Sequence, residues 1–241
     1  MISTIARLAA SAAIALAVVG GAYAKPATKP MTSPVNEATR QEADKLIAAT
    51  GAPELFLNET RDGAILIRHK ASNFQCLFNP GSVNALLVTS GVPKGDEVGC
   101  DGPTTGLFQT TYFIRRAHDG DTAEKAFDEA LAEVKGRWPD AMRIKVSRDG
   151  GQEILSKLAV EAPPSKTAWY LARTEDDWAF TRISTARVGD WMIIMRSAGP
   201  VSVQTQAESL SEMLWLTRLM VMTDPSLGPK PVVAEAGQNK R

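Results

Sequence analysis

The clearest alternation of apolar and polar side chains lies in the last third of the chain. The runs Ala168–Arg173, Trp178–Val188 and Trp191–Ser197 are rich in β-branched and aromatic residues and predict three antiparallel strands. Gly189-Asp190, between the second and third runs, is typical of a two-residue hairpin turn. The sequence therefore predicts a meander whose register is set by that turn.

The predicted register places most of the large side chains on one face of the meander. It pairs Ala186 with Ile193 and Leu171 with Phe180, and strand side chains alternate between the two faces. The residues predicted to share the apolar face are Trp169, Leu171, Trp178, Phe180, Ala186, Trp191, Ile193 and Met195. We expect this face to be core covered by helices, and the alternative is a ligand-binding face.

Three stretches show the apolar spacing of amphipathic helices. They are residues 35–49, 123–138 and 206–222. Asp121 or Thr122 is placed to cap the second helix. Thr205 and Glu208 fit a capping box at the start of the third. We expect the third helix to lie across the meander.

Further strands are predicted before and after the second helix. They are Ala64–Ile67, Phe74–Phe78, Ala85–Val88, Leu107–Arg116, Met142–Val146 and Glu153–Val160. Leu107–Arg116 is apolar on both faces, which is typical of a strand covered on both sides. The sequence thus predicts an α+β fold, a predominantly antiparallel sheet covered by helices, as a single domain over residues 35–222.

The two ends of the chain look unlike the rest. Residues 1–24 have the pattern of a secretory signal peptide: one charge at Arg7, the short apolar run Leu8–Val19 and small residues before a cleavage site after Ala24. This predicts a periplasmic protein, and the alternative is an uncleaved anchor. Residues 25–34 are predicted to be a flexible linker, and residues 223–241 a disordered tail rich in Pro, Gly and Ala.

Two cysteines, Cys76 and Cys100, are the only ones in the chain. An even pair in an exported protein predicts a structural disulfide. They are far apart in sequence and no Cys-x-x-Cys motif is present, which argues against a redox or metal site.

Charge gives no sign of a nucleic-acid partner. The whole chain has 27 basic and 27 acidic residues, and removal of the signal peptide with Arg7 leaves a net charge near −1. Nucleic-acid binding normally needs a basic surface. We expect neither a nucleic-acid partner nor a transmembrane segment after removal of the signal peptide.

No catalytic motif stands out, and we expect no catalytic, cofactor-binding or metal-binding residues. His69 and His118, the only histidines, are predicted to lie on the surface near turns without a neighbouring Ser, Cys or acid. The acidic run Glu175-Asp176-Asp177 is read as a solvated turn, with a cation site as the alternative. The basic pair Arg115-Arg116 with His118 is read as strand-end charge, with an anion site as the alternative.

The order of elements resembles a known fold. Strands, a long helix, the hairpin Gly189-Asp190-Trp191 and a closing helix are similar to the PsbP-like α/β/α sandwich, over roughly residues 64–222. The chain is also similar to uncharacterised exported alphaproteobacterial proteins with a similar cysteine pair and a helix ending in Arg-x-Pro-Asp, here residues 137–140. The PsbP-like resemblance implies a non-enzymatic accessory or binding module, and it transfers no functional residues.

Three functional hypotheses follow. The favoured one is a non-enzymatic periplasmic accessory or binding module that acts with a protein partner in the cell envelope. The first alternative is an envelope hydrolase that uses His69 or His118 as a lone base. The second is a carrier of a small apolar ligand, which would need a cavity between sheet and helix.

Overall fold

A computed structural model describes residues 37–61, 63–104, 106–146, 163–175 and 177–227. The predicted signal peptide (1–24) and linker (25–34) lie outside these residues, as does the predicted strand Glu153–Val160. Of the predicted tail, Thr223 belongs to the last helix and Pro225–Leu227 forms a 3₁₀ turn, while residues 228–241 lie outside the described part.

The helices and strands predicted within the described residues are present in the predicted order, and two further strands, Phe56–Asn58 and Glu97–Thr104, were not predicted. The helices are α1 (Glu37–Ala49), α2 (Ala123–Arg137) and α3 (Gln204–Thr223). The strands are β1 (Phe56–Asn58), β2 (Ile65–His69), β3 (Gln75–Phe78), β4 (Ala85–Val88), β5 (Glu97–Thr104), β6 (Phe108–Arg116), β7 (Met142–Ile144), β8 (Ser165–Arg173), β9 (Trp178–Val188) and β10 (Trp191–Pro200).

The strands form two antiparallel sheets. The large sheet has seven strands in the order β4-β5-β6-β10-β9-β8-β7, and the small sheet has three in the order β1-β2-β3. Every pairing of neighbouring strands is antiparallel. The α+β class is therefore confirmed, and β6 is an interior strand as its two apolar faces predicted.

The predicted meander register is confirmed residue by residue. Ala186 lies opposite Ile193, as the Gly-Asp turn requires. Leu171 lies opposite Phe180 in the preceding hairpin, whose register is set by the loop after Arg173. Gly189 has a φ of +56°, a left-handed conformation that glycine adopts without the steric cost that a side chain brings. One short turn thus determines which side chains of β9 and β10 reach the core.

One face of the large sheet packs against α3, the small sheet and α1. Its core joins residues of all four elements: Ala43, Ile47, Ile65, Ile67, Phe74, Ala186, Trp191, Ile193, Met195, Trp215, Leu216 and Leu219. A neighbouring cluster buries Phe108, Trp169, Phe180 and Ala207 beneath the start of α3. The tryptophan-bearing face is therefore largely core, as predicted.

Trp178 is the exception on that face, and the prediction that it is buried is wrong. Its side chain is 38% exposed. It pairs with Arg173 at the far end of β8, whereas the first turns of α3 reach only as far as Phe180 through Ala207. The part of the sheet covered by α3 therefore ends at the Leu171–Phe180 pair, two residue pairs before Trp178.

Helix α2 covers the opposite face of the large sheet. Its apolar side packs on β8 and β9 through Phe127, Ala130 and Val134 against Ala168, Tyr170, Ala172 and Ile183. The large sheet therefore has helices on both faces, as predicted.

The two predicted helix caps have different outcomes. Thr122 caps α2, and its Oγ1 accepts a hydrogen bond from the backbone N–H of Lys125 at 3.1 Å. The capping box at Thr205 is wrong, because α3 begins at Gln204, after a 3₁₀ turn at Val201–Val203, and Thr205 therefore lies inside the helix. The carboxylate of Glu208 instead accepts from the side-chain amide of Gln204 at 2.8 Å.

The cysteines link the two sheets. Cys76 on β3 and Cys100 on β5 stand at disulfide distance, with Cα atoms 5.9 Å apart. Both side chains are buried in the core beneath α3. The pair fastens the small sheet to the outer part of the large one.

Candidate functional site

A spacious concavity lies beside α2. The helix packs against β8, β9 and β10, and no other described helix lies over the β4–β6 part of the same sheet face. The resulting cavity has a volume of about 630 Å³. We call it the α2 groove; its floor includes Leu87, Thr111 and Phe113, and its wall includes Glu133, Arg137 and Trp138.

The floor of the groove is apolar because strand side chains alternate. On β6, Tyr112 and Ile114 point into the core, so Phe113 between them points into the groove. On the edge strand β4, Leu86 is buried while Leu87 faces the groove and is 40% exposed. Leu87 and Phe113 therefore form an apolar floor that none of the three described helices covers.

Charged side chains surround this floor. Arg196 on β10 forms an ion pair with Glu133 on α2 at 2.5 Å. Asp101 on β5 accepts a hydrogen bond from Thr111 Oγ1 at 2.5 Å. These anions therefore already have partners within the protein.

Arg137 is different from the other charged groups of the groove. It is exposed at the last turn of α2, and its guanidinium carbon lies 4.6 Å from the ring centre of Trp138. Such stacking holds the guanidinium in place and leaves its N–H donors available. No carboxylate in the described residues forms an ion pair with Arg137, so the groove offers one available cation next to an apolar floor.

The sequence did not indicate this groove. Its residues come from β4, β5, β6, β9, β10 and α2, which are distant in the chain. The two apolar faces of the 107–116 run were the one available signal. They predict cover on both sides, and the structure shows cover on one side only.

His69 is buried, and the prediction that it lies on the surface is wrong. Its side chain is 1% exposed, and its ring packs against Phe56 and, edge to face, against Trp191 at 5.5 Å between ring centres. Its Nδ1 is 2.9 Å from the hydroxyl of Ser72, a neighbour that sequence analysis missed. The three-residue spacing across the β2–β3 turn was the available signal.

The pair His69–Ser72 has the geometry of a structural contact. The Ser72 hydroxyl oxygen also accepts from the backbone N–H of Phe74 at 3.2 Å, so its own hydrogen is directed to Nδ1 of the imidazole. Burial, followed by the nearby Arg116 guanidinium, lowers the pKa of His69 from 6.5 to about 4, while Asp96 acts in the opposite direction. The imidazole is thus neutral at neutral pH, and Ser72 is only 4% exposed.

The other predicted polar groups are also satisfied internally. His118 is exposed, as predicted, and its backbone N–H donates to Asp121 Oδ2 at 3.0 Å. Arg115 pairs with Asp121 at 2.5 Å and Arg116 with Asp96 at 2.8 Å. The His118 N–H and then the Arg115 guanidinium hold the pKa of Asp121 well below its usual range. Each arginine of the predicted anion site therefore already has a carboxylate.

The described residues around the acidic run form a turn, as predicted. The Thr174 hydroxyl donates to the backbone carbonyl of Asp177 at 2.7 Å, and the Asp177 carboxylate accepts from the backbone N–H of Trp178. Within the described ranges, no three His, Cys, Asp or Glu side chains gather as metal ligands would. None of the described helices combines the length and apolar character needed to cross a membrane.

Comparison with known proteins adds no family to this description. No protein-family model matches the chain, and no curated protein sequence matches it significantly.

Proposed function

We propose that the chain is a non-enzymatic binding module of the cell envelope, exported by its amino-terminal signal, that docks a protein partner in the α2 groove. The observation that carries this proposal is the sheet face at Leu87 and Phe113, which no described helix covers, beside Arg137, which pairs with no carboxylate of the described residues. Burial of exposed apolar surface is the main favourable term in protein association. The groove therefore supplies both an energetic reason and a place for docking.

The chemistry of the groove defines the partner segment. Leu87 and Phe113 suit an apolar side chain, and the fork of N–H donors on Arg137 suits a carboxylate. Glu133 and Asp101 already interact with side chains of this protein, so the groove does not require a basic residue on the docking protein. We expect the partner to present an apolar residue next to Asp or Glu.

The hydrolase alternative gains no comparable support. A general base must be within hydrogen-bond reach of a substrate proton. His69 is enclosed by aromatic rings and its hydroxyl neighbour Ser72 is buried as well. His118 is exposed, with its backbone held by Asp121 in a turn.

Site-specific photo-crosslinking in living cells tests the docking proposal. A photoreactive amino acid at Leu87 is expected to form an adduct with a protein, whereas the same amino acid at Leu57 on the small sheet is not. The two leucines are matched in exposure, at 40% and 39%. The adduct is expected to weaken in an Arg137→Glu variant and to map to a partner peptide with an acidic residue beside an apolar one.

Two outcomes would contradict the proposal. One is equal adduct formation at Leu87 and Leu57, which would indicate nonspecific contact. The other is an adduct at Leu87 that is unchanged by Arg137→Glu, because the charge would then play no part in recognition.

A further inference from the structure

A second cavity lies on the other side of the large sheet, between α3 and strands β3, β5 and β6. Its volume is about 190 Å³. We call it the α3 cavity; its apolar wall includes Leu77, Phe78, Leu210 and Leu214, and its polar groups include Tyr112 and Arg218. An apolar engineered cavity of about 150 Å³ is large enough to hold benzene, so this space suits a small organic molecule.

Arg218 is the unusual feature of this cavity. Its side chain is only 5% exposed, and its Nε has no hydrogen-bond partner among the described residues. No carboxylate of the described residues forms an ion pair with it. Burial lowers the pKa of Arg218, but a guanidinium stays protonated in proteins, so the cavity contains an unpaired cation.

Another buried arginine beneath α3 has the carboxylate partner that Arg218 does not have among the described residues. Arg182 is fully buried and pairs with the Glu212 carboxylate at 2.5 Å. The polar side chain that interacts with Arg218 is Tyr112. The Tyr112 hydroxyl has no partner with hydrogen-bond geometry in the described residues. Burial raises the pKa of Tyr112, so the phenol is neutral at neutral pH and does not supply the missing negative charge.

We infer that the α3 cavity binds a small carboxylic acid, with the carboxylate on Arg218 and Tyr112 and the apolar part of the acid against Leu210 and Leu214. Arginine binds a carboxylate through two parallel N–H donors, and a neutral tyrosine adds an O–H donor. The ligand thereby supplies the counter-charge that the protein lacks, while its apolar part fills the remaining space. The site goes beyond the docking proposal and does not depend on it.

The mouth of the cavity is open to ligands. Leu77 on β3 and Met213 on α3 both line the cavity, and they are 47% and 52% exposed. A methionine at the entrance adjusts its shape readily, because its side chain has three rotatable bonds. A ligand can therefore enter when these surface side chains move, and α3 does not have to separate from the sheet.

Fluorine NMR of 4-fluorobenzoate with the mature chain tests this inference. The acid is expected to bind, and two comparison probes are expected to bind at least tenfold more weakly. The neutral 4-fluorobenzamide has the ring without the charge, and fluoroacetate has the charge without the apolar part. Equal affinity for the acid and the amide would overturn the inference, as would a failure of the acid to bind.

Two variants connect the binding to the named side chains. Arg218→Met keeps the side-chain length, removes the charge and is expected to weaken 4-fluorobenzoate binding at least tenfold. Because it removes an unpaired buried cation, we also expect its melting temperature to stay the same or to rise, and melting curves show whether it is folded. Tyr112→Phe is expected to weaken binding several-fold.

Arg40→Met is the matched control. This arginine is exposed on α1 and lines neither the α3 cavity nor the α2 groove, so acid binding should be unchanged in the variant. If Arg218→Met is folded and binds the acid as tightly as the natural protein, the assignment of Arg218 is wrong. Arg137→Met shows whether the acid binds in the α2 groove instead, and a loss of binding as large as that of Arg218→Met would overturn the inference.

Discussion

The buried imidazole of His69 predicts a specific dependence of stability on pH. Its pKa is about 4 in the folded protein and 6.5 when it is exposed in the unfolded chain. Between these two values the unfolded chain binds a proton that the folded chain does not. Stability therefore falls as the pH is lowered through this window, and little further is lost to His69 below its lower end.

The size of the effect follows from the two pKa values. Each pH unit within the window costs about 1.4 kcal/mol for one proton taken up on unfolding. Between about pH 7 and about pH 5, the loss due to His69 amounts to about 2 kcal/mol. This is a large part of the stability of an ordinary domain, which is about 5–15 kcal/mol.

Urea unfolding of the natural protein and of His69→Gln at several pH values measures this effect. The absolute stability of the variant does not matter, because the quantity compared is the slope of unfolding free energy against pH. We expect the variant to lose about 2 kcal/mol less than the natural protein over the stated range. His118→Gln is the matched control, because it replaces an exposed imidazole.

A parallel slope for His69→Gln and the natural protein would refute the reasoning. It would mean that the imidazole takes up its proton equally well in both states. The packing of His69 against Phe56 and Trp191 would then not exclude charge from this site.

Four other variants test the packing by urea unfolding. Thr122→Ala removes the α2 cap and should cost about 1 kcal/mol; no loss would show that the cap adds nothing. Gly199→Ala should cost about 1–3 kcal/mol, because its Cβ would lie 2.8 Å from that of a neighbouring phenylalanine, whereas Gly136→Ala should stabilise α2 by up to about 1 kcal/mol because its Cβ meets nothing within 4 Å. Equal effects at the two glycines would contradict this contrast. Replacing both Cys76 and Cys100 by Ala should cost about 3 kcal/mol, since the bond spans 24 residues. Thiol titration of the unfolded, unreduced natural protein should find no free thiol, and two would contradict the disulfide.

Local patterns predicted much of the fold because local rules determine it. The register of β9 and β10 follows from a two-residue turn, and the faces of a strand follow from alternation. The cap of α2 follows from Thr122 immediately before a helical pattern. Each of these features depends on residues within a few positions of one another.

The features that failed depend on contacts between distant segments. His69 is buried by Trp191, which lies on a different sheet and far along the chain. Arg68 and Lys70, the basic residues on either side of His69 in the sequence, indicated an exposed position instead. Trp178 is exposed because α3 begins where it does, and strand alternation cannot indicate where a helix ends its cover. The α2 groove escaped prediction for the same reason.

The two cavities share β6, and this arrangement keeps them independent. Tyr112 points into the α3 cavity, and its neighbour Phe113 points into the α2 groove, because successive side chains of a strand face opposite ways. The strand between them is held on both sides, by β5 and by β10. Because strand pairing holds both edges of β6, we expect partner docking at Phe113 and acid binding at Tyr112 to respond separately to substitution. Sensitivity of acid binding to Phe113→Ser would show instead that β6 transmits occupancy from one face to the other.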